Sequence, residues 1–275
     1  MSKKLISVIT VCLNAEKNIE STINSILNQS FTDYEYLIID GGSGDATIEI
    51  AERYSKNFLE KGISYQIISE KDDGIYDAMN KAAGYACGQW IIYINAGDAL
   101  FDSTVLERLS SEIADDLDVI YGDAVLLDHN KYKLLKAKSL EFFKYSNPIC
   151  HQASLTKTDI VREYSFRKEY EITADFDSFL RVYLSNADAF KKLNYTFSIF
   201  LLGGISKDVF KREKEFNFSR KRNGLKRVFF PHLQIIWFVL VDKIRSGAIA
   251  ILGDRFYSSK RGWYPDKYDA AKREK

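Results

Sequence analysis

Short apolar runs alternate with segments of helical periodicity in the first third of the chain, and this alternation limits the possible fold more than any other feature. The runs cover residues 5–11, 36–39, 63–68 and 90–94, and they are rich in β-branched residues. The segment after the first run repeats apolar residues at the spacing of one helix face, at Ile19, Ile23, Ile26 and Leu27. Buried strands separated by amphipathic helices are typical of βαβ units, so we predict an α/β fold with helices on both faces of a parallel sheet.

The composition is that of an ordinary globular protein. The 275 residues are 46% apolar and carry a net charge of +1, so we expect no nucleic-acid partner. Cys12, Cys87 and Cys150 form no CxxC pair, which predicts reduced thiols and neither a zinc site nor a disulfide. Since no apolar stretch has the length of a signal peptide core or a spanning helix, we predict a cytoplasmic protein.

The fourth apolar run ends in the turn Asn95-Ala96-Gly97-Asp98. Open α/β sheets bind their ligands at the carboxyl ends of the strands, where this turn would lie. The carboxylate of Asp98 is a hard oxygen ligand, suited to Mg²⁺ or Mn²⁺ carrying a phosphate. An ordinary turn of glycine and aspartate would have the same sequence.

Two other motifs precede this turn. The glycine-rich stretch 40–45 follows the second run, and its Asp40 can accept a hydrogen bond from a base or a ribose, although a turn that binds nothing fits equally well. It is not the GxGxxG fingerprint of dinucleotide-binding proteins. The stretch 72–81 predicts a helix capped by Asp72 or Asp73, with solvated Asp77, Asn80 and Lys81 on its polar side.

Taken in order, these motifs resemble those of family 2 glycosyltransferases of the GT-A fold, over about residues 5–185. The resemblance is strongest to bacterial transferases of O-antigen, capsule or colanic acid assembly. It implies a Rossmann-like, mixed and mainly parallel sheet flanked by helices. It also implies a nucleotide-sugar donor, a UDP-sugar before a GDP- or dTDP-sugar, together with Mg²⁺ or Mn²⁺.

The resemblance assigns roles to individual residues. Asp98 matches the last acid of the family's Asp-x-Asp motif and is the implied metal ligand, whereas Ala96, or Asn95 one residue earlier, replaces the first acid. That departure puts the affinity for the metal in question. Asp40 would bind uracil, and Asp73 and Asn80 would lie along the ribose and diphosphate. The full set of implied donor-binding residues is Thr10, Leu13, Asn14, Asp40, Ser43, Asp73, Asn80, Asn95, Ala96, Gly97 and His151.

The second half of the chain adds a candidate base. Strands are predicted at 118–123 and 125–127, with a hairpin to 132–135. His151, beside Gln152, would contact the donor diphosphate or a metal, unless it is a loop histidine held by hydrogen bonds. Asp175 could cap a helix, but the resemblance matches it to the acid of the family's Glu-Asp motif, with Ala174 replacing the Glu. Inverting transfer needs a base for the acceptor hydroxyl, and we assign Asp175 that role.

We predict two parts in the chain. Residues 1–205 would form the catalytic domain, with a nucleotide-sugar half at about 1–100 and an acceptor half at about 101–205. Residues 206–275 would form a basic, amphipathic helical extension, since 211–227 holds eight Lys and Arg against two Glu and helical spacing continues over 225–252. This extension either packs on the domain or a second subunit, giving a homo-oligomer, or lies through 211–252 on a membrane surface.

The leading hypothesis is therefore an inverting, metal-dependent glycosyltransferase. Its acceptor would be a glycan, in particular one on a polyprenyl diphosphate at the inner face of the cytoplasmic membrane. A nucleotidyltransferase would use similar carboxylates and Mg²⁺, but its glycine-rich basic signature is absent after the first strand. A non-catalytic module that binds nucleotide sugars or a membrane surface is the remaining alternative, and intact Asp98 and Asp175 argue against it.

Overall fold

The four apolar runs form four parallel neighbours in one sheet. The computed structural model describes residues 4–128, 131–201, 208–226 and 267. Its first strands, in the spatial order β3-β2-β1-β4, are β1 (Ile6–Cys12), β2 (Tyr34–Asp40), β3 (Ser64–Ser69) and β4 (Trp90–Tyr93). Every residue of β1, β2 and β4 is buried, as expected of strands covered on both faces, whereas β3 is half-buried at the sheet edge.

The rest of the sheet is mixed. It contains β5 (Ala99–Leu100), β6 (Val119–Asp128), β7 (Lys131–Leu135), β8 (Ser154–Lys157) and β9 (Phe190–Leu201). The antiparallel strand β8 joins β4 to β6, β9 runs parallel beside β6, and β5 pairs antiparallel with β9. The predicted hairpin forms between β6 and β7, and its tip at 129–130 lies outside the described residues. The fold is thus the predicted mixed α/β sheet with flanking helices.

Helices cover both faces of this sheet. They are α1 (Ile19–Leu27), α2 (Thr47–Glu52), α3 (Ser55–Glu60), α4 (Ile75–Tyr85), α5 (Val105–Ser110), α6 (Thr158–Glu163), α7 (Ala174–Ser185) and α8 (Val209–Arg222). Short 3-10 helices lie at Leu140–Lys144, His151–Ala153 and Ala187–Ala189. Successive side chains of a strand point to opposite faces, so Ile6 and Val8 pack in the core that includes α1, while Ile9 and Val11 pack in the core that includes α4.

A third apolar cluster lies beyond β6. It joins Val119 and Tyr121 of that strand to Phe176 and Phe179 of α7 and to Phe216 of α8. The first part of the predicted extension therefore packs on α7. The apolar segment 225–252 lies almost entirely outside the described residues. Within the described ranges, none of the helices combines the length and the apolar character that a membrane crossing requires.

The two predicted aspartate caps are wrong, and local hydrogen bonds show why. α4 begins after Gly74, whose φ of +109° suits glycine, and Asp72 Oδ1 accepts from the Gly74 amide (2.9 Å). Asp77 is buried and not solvated as predicted, because its carboxylate accepts from the Asp73 amide (3.0 Å). α7 begins after Thr173, which leaves Asp175 inside its first turn.

Candidate active site

Asp98 lies on the turn that follows β4 and lines a cleft. Its side chain is almost fully buried and accepts hydrogen bonds from the Leu201 amide (2.9 Å) and the Gln152 side chain. Burial raises the pKa of Asp98 to about 7. Thr22 of α1 braces the turn, since its hydroxyl donates to the Asp98 carbonyl (2.7 Å) and accepts from the Gly97 amide (2.9 Å). Two distant parts of the chain thus hold the carboxylate, and a third holds the backbone of the turn that carries it.

Gly97 gives this turn its shape. Its φ is +100°, a conformation that favours glycine, and a Cβ there would lie 3.1 Å from the Leu201 side chain. Asp98 and the β9 residue whose amide binds it are thereby brought close together.

Asp175 projects from the first turn of α7. The Tyr76 hydroxyl donates to its Oδ1 (3.4 Å) and to the carbonyl of Ile172 (2.7 Å), and Asn147 Nδ2 donates to its Oδ2 (3.2 Å). Burial raises the pKa of Asp175 to about 6, although these hydrogen bonds favour the ionised form. A carboxylate with a pKa near neutrality is suited to accept a proton from a substrate.

Asp98 and Asp175 line the same cleft, which has a volume of about 530 Å³. Asn95, Ala96 and His151 also line it. A second cleft of about 630 Å³ contains Asp175 and His151 as well, so the two clefts meet at the candidate base. Asp175 can therefore act on a hydroxyl bound in one cleft while an electrophile occupies the other.

His151 is an uncharged member of the site. Its ring stacks on Tyr93 with 5.0 Å between centroids and meets the edge of Phe166 at 5.4 Å. Burial lowers the pKa of His151 to about 4, so the imidazole is neutral at physiological pH. It can offer a hydrogen bond to a ligand in either cleft, but it adds no positive charge there.

The loops after β1 and β2 bring together four of the implied donor residues, namely Leu13, Asn14, Asp40 and Ser43. The Asn14 amide donates to the Ser43 hydroxyl (2.7 Å), and that hydroxyl donates to Asp40. Asp40 also accepts from the amides of Gly42 (3.0 Å) and Ser43 (2.9 Å) and from the hydroxyl of Ser69 (2.7 Å). Burial opposes ionisation of Asp40, but these bonds outweigh it and lower its pKa. The carboxylate thus fixes the shape of the loop, and Leu13 is exposed beside it.

Three other implied donor residues bind elsewhere in the fold. The Thr10 hydroxyl is buried between strands, donates to the Ile94 carbonyl (2.7 Å) and accepts from Tyr36 (3.0 Å). Both ends of the Asn80 side-chain amide bond to the Phe166 backbone (2.7 and 2.9 Å). The exposed Asp73 lies 3.6 Å from the Lys168 ammonium. None of these three residues is among those that line the cleft containing Asp98.

Comparisons with known proteins identify the family. The sequence model of glycosyl transferase family 2 matches residues 7–160 of this chain. The chain belongs to this family. A PGL/p-HBAD biosynthesis glycosyltransferase of Mycobacterium bovis is 28% identical over 219 residues, covering 78% of this chain and 83% of that protein. A cholesterol galactosyltransferase of Borreliella burgdorferi is 32% identical over 119 residues, covering 43% of this chain and 32% of that protein.

Solved glycosyltransferases share the fold. S. aureus TarS 1–349 in complex with UDP-GlcNAc aligns with a TM-score of 0.64 at 16% identity, covering 81% of this chain and 68% of that one. The mannosyltransferase PcManGT from Pyrobaculum calidifontis, in complex with GDP-Man and Mn²⁺, aligns with a TM-score of 0.62 at 13% identity, covering 94% and 79%. This chain spans 41% of the longer S. aureus TarS structure.

A divalent cation fits the Asp98 side of this family 2 glycosyltransferase. Asn95 Oδ1 is buried without a hydrogen-bond partner in the described part of the chain, and Asn95 and Asp98 line the same cleft. Amide and carboxylate oxygens are ligands that Mg²⁺ and Mn²⁺ accept, and Mg²⁺ usually takes its other ligands from phosphates and water. The described residues contain no cluster of three His, Cys, Asp or Glu that would hold a metal without such help.

Sequence reasoning missed three residues of this family 2 site. Tyr76 and Asn147 bind Asp175, and Glu215 of α8 binds the backbone just before α7. Tyr76 lies within the 72–81 motif but was not assigned a role. The other two have no local signal, because Asn147 meets Asp175, and Glu215 meets the backbone before α7, only in the tertiary fold.

Proposed function

We propose that this glycosyltransferase transfers a sugar from a nucleotide-sugar donor, a UDP-sugar, to a saccharide hydroxyl with inversion at the anomeric carbon. The observation that carries the proposal is that Asp98 and Asp175 line one cleft, and that a second cleft opens at Asp175. Complexes of similar folds with UDP-GlcNAc and GDP-Man support a nucleoside diphosphate sugar as the donor. The loop cluster of Leu13, Asn14, Asp40 and Ser43 is the proposed nucleoside site.

The reaction needs one proton transfer and one displacement. Asp175 takes the proton of the acceptor hydroxyl while the oxygen of that hydroxyl attacks the anomeric carbon. The bond from that carbon to the diphosphate oxygen breaks, and the nucleoside diphosphate leaves with the electron pair. Because the hydroxyl attacks from the side opposite the leaving group, the configuration inverts. Tyr76 and Asn147 hold the carboxylate of Asp175 in place for this transfer.

The leaving group develops negative charge beside Asp98. We propose that Asp98 and Asn95 hold Mg²⁺ or Mn²⁺ there, and the bound cation supplies positive charge to the departing diphosphate. A metal in the similar PcManGT complex supports this assignment. The neutral His151 can donate one further hydrogen bond to the diphosphate.

The second cleft is the proposed acceptor site. Lys136, Lys138 and Arg212 line it together with the exposed rings of Phe142 and Tyr145. Cations suit a phosphate, and aromatic rings suit the apolar face of a sugar or an isoprenoid chain. These features support a saccharide on a polyprenyl diphosphate as the acceptor. An enzyme with such an acceptor would work at the inner face of a bacterial membrane.

The first test is donor binding followed by turnover. Thermal unfolding is measured with UDP, GDP, dTDP and CMP, each with and without Mn²⁺, because a ligand of the folded state raises the melting temperature. Transfer from UDP-sugars to phosphate-bearing saccharide acceptors is then assayed, and product NMR gives the anomeric configuration. We expect a Mn²⁺-dependent shift with UDP and an inverted product.

Asp175→Asn tests the base. It should lower the transfer rate by about 10²- to 10⁴-fold, with UDP binding retained. Asp159→Asn is the matched control, since Asp159 is exposed on α6 beside Arg162. Near-normal turnover by a folded Asp175→Asn protein would remove Asp175 as the base, and a lack of any nucleotide shift would remove the donor proposal.

A further inference from the structure

One face of α8 contacts α7 on both sides of Asp175. The face consists of polar residues spaced four apart, so they lie on one side of the helix: Glu215 and Ser219, followed by Asn223 at the C-cap. Glu215 meets the turn just before α7, and the other two meet Asp177 within α7. The helix that carries Asp175 is therefore attached to α8 at two points that flank it.

In the first attachment, the Glu215 carboxylate accepts hydrogen bonds from backbone amides. Glu215 Oε1 accepts from the amide of Glu171 (3.1 Å), and its Oε2 accepts from the amides of Ile172 and Thr173 (3.0 Å each). The Thr173 hydroxyl also donates to Oε2 (3.0 Å). These amides lie at the N-cap residue Thr173 and just before it, and a carboxylate makes charge-assisted hydrogen bonds with such backbone donors. Glu215 thus fixes the backbone segment that leads into α7.

The same turn is held from its other side by α4. The Tyr76 hydroxyl donates to the Ile172 carbonyl (2.7 Å) and reaches Asp175 Oδ1 (3.4 Å). Glu215 fixes the amides of the turn while Tyr76 fixes its carbonyl. Asp175 follows two residues later, so its position depends on both contacts.

The second attachment centres on a buried acid. Asp177 is fully buried and lies 3.0 Å from Arg181 Nε, and the Ser219 hydroxyl (2.7 Å) and Asn223 Nδ2 (3.1 Å) both donate to it. Between the two attachments, the Arg220 guanidinium lies over the ring of Phe176 (5.3 Å). α8 therefore contacts α7 at Thr173, Phe176 and Asp177, on both sides of Asp175.

We propose that Glu215 is a positioning residue for Asp175 and that α8 is part of the catalytic apparatus. This inference rests on the proposed role of Asp175 as the base. Glu215 acts through the backbone of residues 171–173 and touches neither substrate. Its loss should therefore impair the chemical step more than donor binding.

Glu215→Gln is the sharpest test, because it keeps the shape of the side chain but removes the charge and one acceptor oxygen. We expect the kcat for transfer to fall by about 10- to 100-fold, as a base misplaced by about 1 Å would produce, with the KM for the donor and the UDP-induced thermal shift nearly unchanged. Glu60→Gln is the matched control. It breaks an exposed ion pair with Lys56 within α3, which contacts neither α7 nor α8 through this pair, and should keep turnover within about two-fold.

A structural role alone predicts a different pattern. If Glu215→Gln lowers only the melting temperature and leaves kcat within about two-fold of the control, the inference is wrong. If Glu215→Gln does not fold, the variants Thr173→Val and Thr173→Ser test the inference instead. Thr173→Val removes the hydroxyl that donates to Glu215 and should lower kcat. Thr173→Ser keeps a hydroxyl donor and should have a kcat close to that of the unmodified protein. Equal kcat values for the two variants would overturn the inference.

The experiment also separates this inference from the proposed function. Loss of turnover in Asp175→Asn together with wild-type kcat in Glu215→Gln removes only the role of Glu215. Normal turnover in Asp175→Asn removes the base itself, and the positioning role fails with it.

Discussion

Burial raises the pKa values of both Asp98 and Asp175, but the two carboxylates have different proposed roles. Both lose solvation in the cleft, which raises their pKa to about 7 and about 6. For Asp175 a pKa just below neutrality combines an ionised side chain with the ability to hold a proton. For Asp98 the buried charge is unfavourable until a cation neutralises it. The site thus contains one carboxylate suited to proton transfer and one suited to metal.

The pH dependence of turnover should report Asp175. The base must be ionised, so kcat/KM should fall as the pH drops through about 6. The profile is measured between about pH 5 and 8.5 with saturating Mn²⁺, which keeps Asp98 ionised. An acid limb near pH 4, the ordinary range of an exposed aspartate, would contradict the assignment.

Asp98→Asn should raise the free energy of unfolding but remove the metal-dependent binding of UDP. The raised pKa means that the folded state favours the protonated acid, so this contribution to stability is present at low pH and lost as the pH rises through about 7. In EDTA at about pH 8, the variant should be more stable by about 1–2 kcal/mol in urea unfolding and should lose the Mn²⁺-dependent UDP shift.

Asp102→Asn is the contrasting variant. Arg108 and Thr104 bind the ionised Asp102 carboxylate, so its loss should lower the free energy of unfolding. Lower stability of Asp98→Asn would contradict the argument.

At the scale of elements, the turn between α4 and β4 sets the register of the strand that leads to Asp98. Buried Glu35 of β2 accepts from the Ser7 hydroxyl (2.5 Å) and from the amides of Cys87 (2.5 Å) and Gly88 (3.0 Å). A Cβ on Gly88 would lie 2.5 Å from the Ser7 amide nitrogen. The absence of a side chain at Gly88 thus allows the start of β4 to lie close to β1.

Two glycine substitutions separate packing from helix propensity. Gly88→Ala should lower the free energy of unfolding by about 2–3 kcal/mol, because backbone atoms of β1 occupy the space. Gly84→Ala, within α4, places its Cβ where no atom lies within 4 Å among the described residues and should raise stability by up to about 1 kcal/mol. Urea unfolding of both variants gives the comparison. Effects of the same sign would contradict it.

At the scale of the whole molecule, α8 packs against α7 in the half of the chain that we propose binds the acceptor. Phe216 is buried against Phe176, with 4.5 Å between ring centroids, and Arg212 reaches the second cleft. The boundary predicted between residues 205 and 206 would remove these contacts from the catalytic part.

Truncation tests that boundary. A chain of residues 1–226 keeps α8, whereas a chain of residues 1–205 loses Phe216 and two of the donors to Asp177, Ser219 and Asn223. We expect the shorter chain to be less stable by about 3–5 kcal/mol, because it exposes a core aromatic and leaves a buried acid short of donors. Equal urea midpoints would show that residues 1–205 are self-sufficient. Binding of the full chain and of 1–226 to anionic vesicles then tests the predicted membrane contact of 211–252.

The sequence by itself determined the parts whose signal is local. Runs of β-branched residues placed β1 to β4, the helical spacing of Ile19, Ile23, Ile26 and Leu27 placed α1, and the ordered motifs identified the family and the two acids of the cleft. These signals are readable because periodicity, turn composition and motif spacing act over a few neighbouring residues.

Only the tertiary structure decided which polar side chains face the cleft and which hold the fold. The resemblance placed Asn80 along the donor, and only the structure shows that its side chain bonds to Phe166, 86 residues away. Only the structure shows that Glu215 binds the amide of Thr173, 42 residues before it. Such contacts depend on where distant elements pack, and nothing in the neighbouring sequence encodes them. The pKa values of Asp98 and Asp175 have the same origin, because burial, the largest cause of each shift, exists only after the sheet and helices have closed around them.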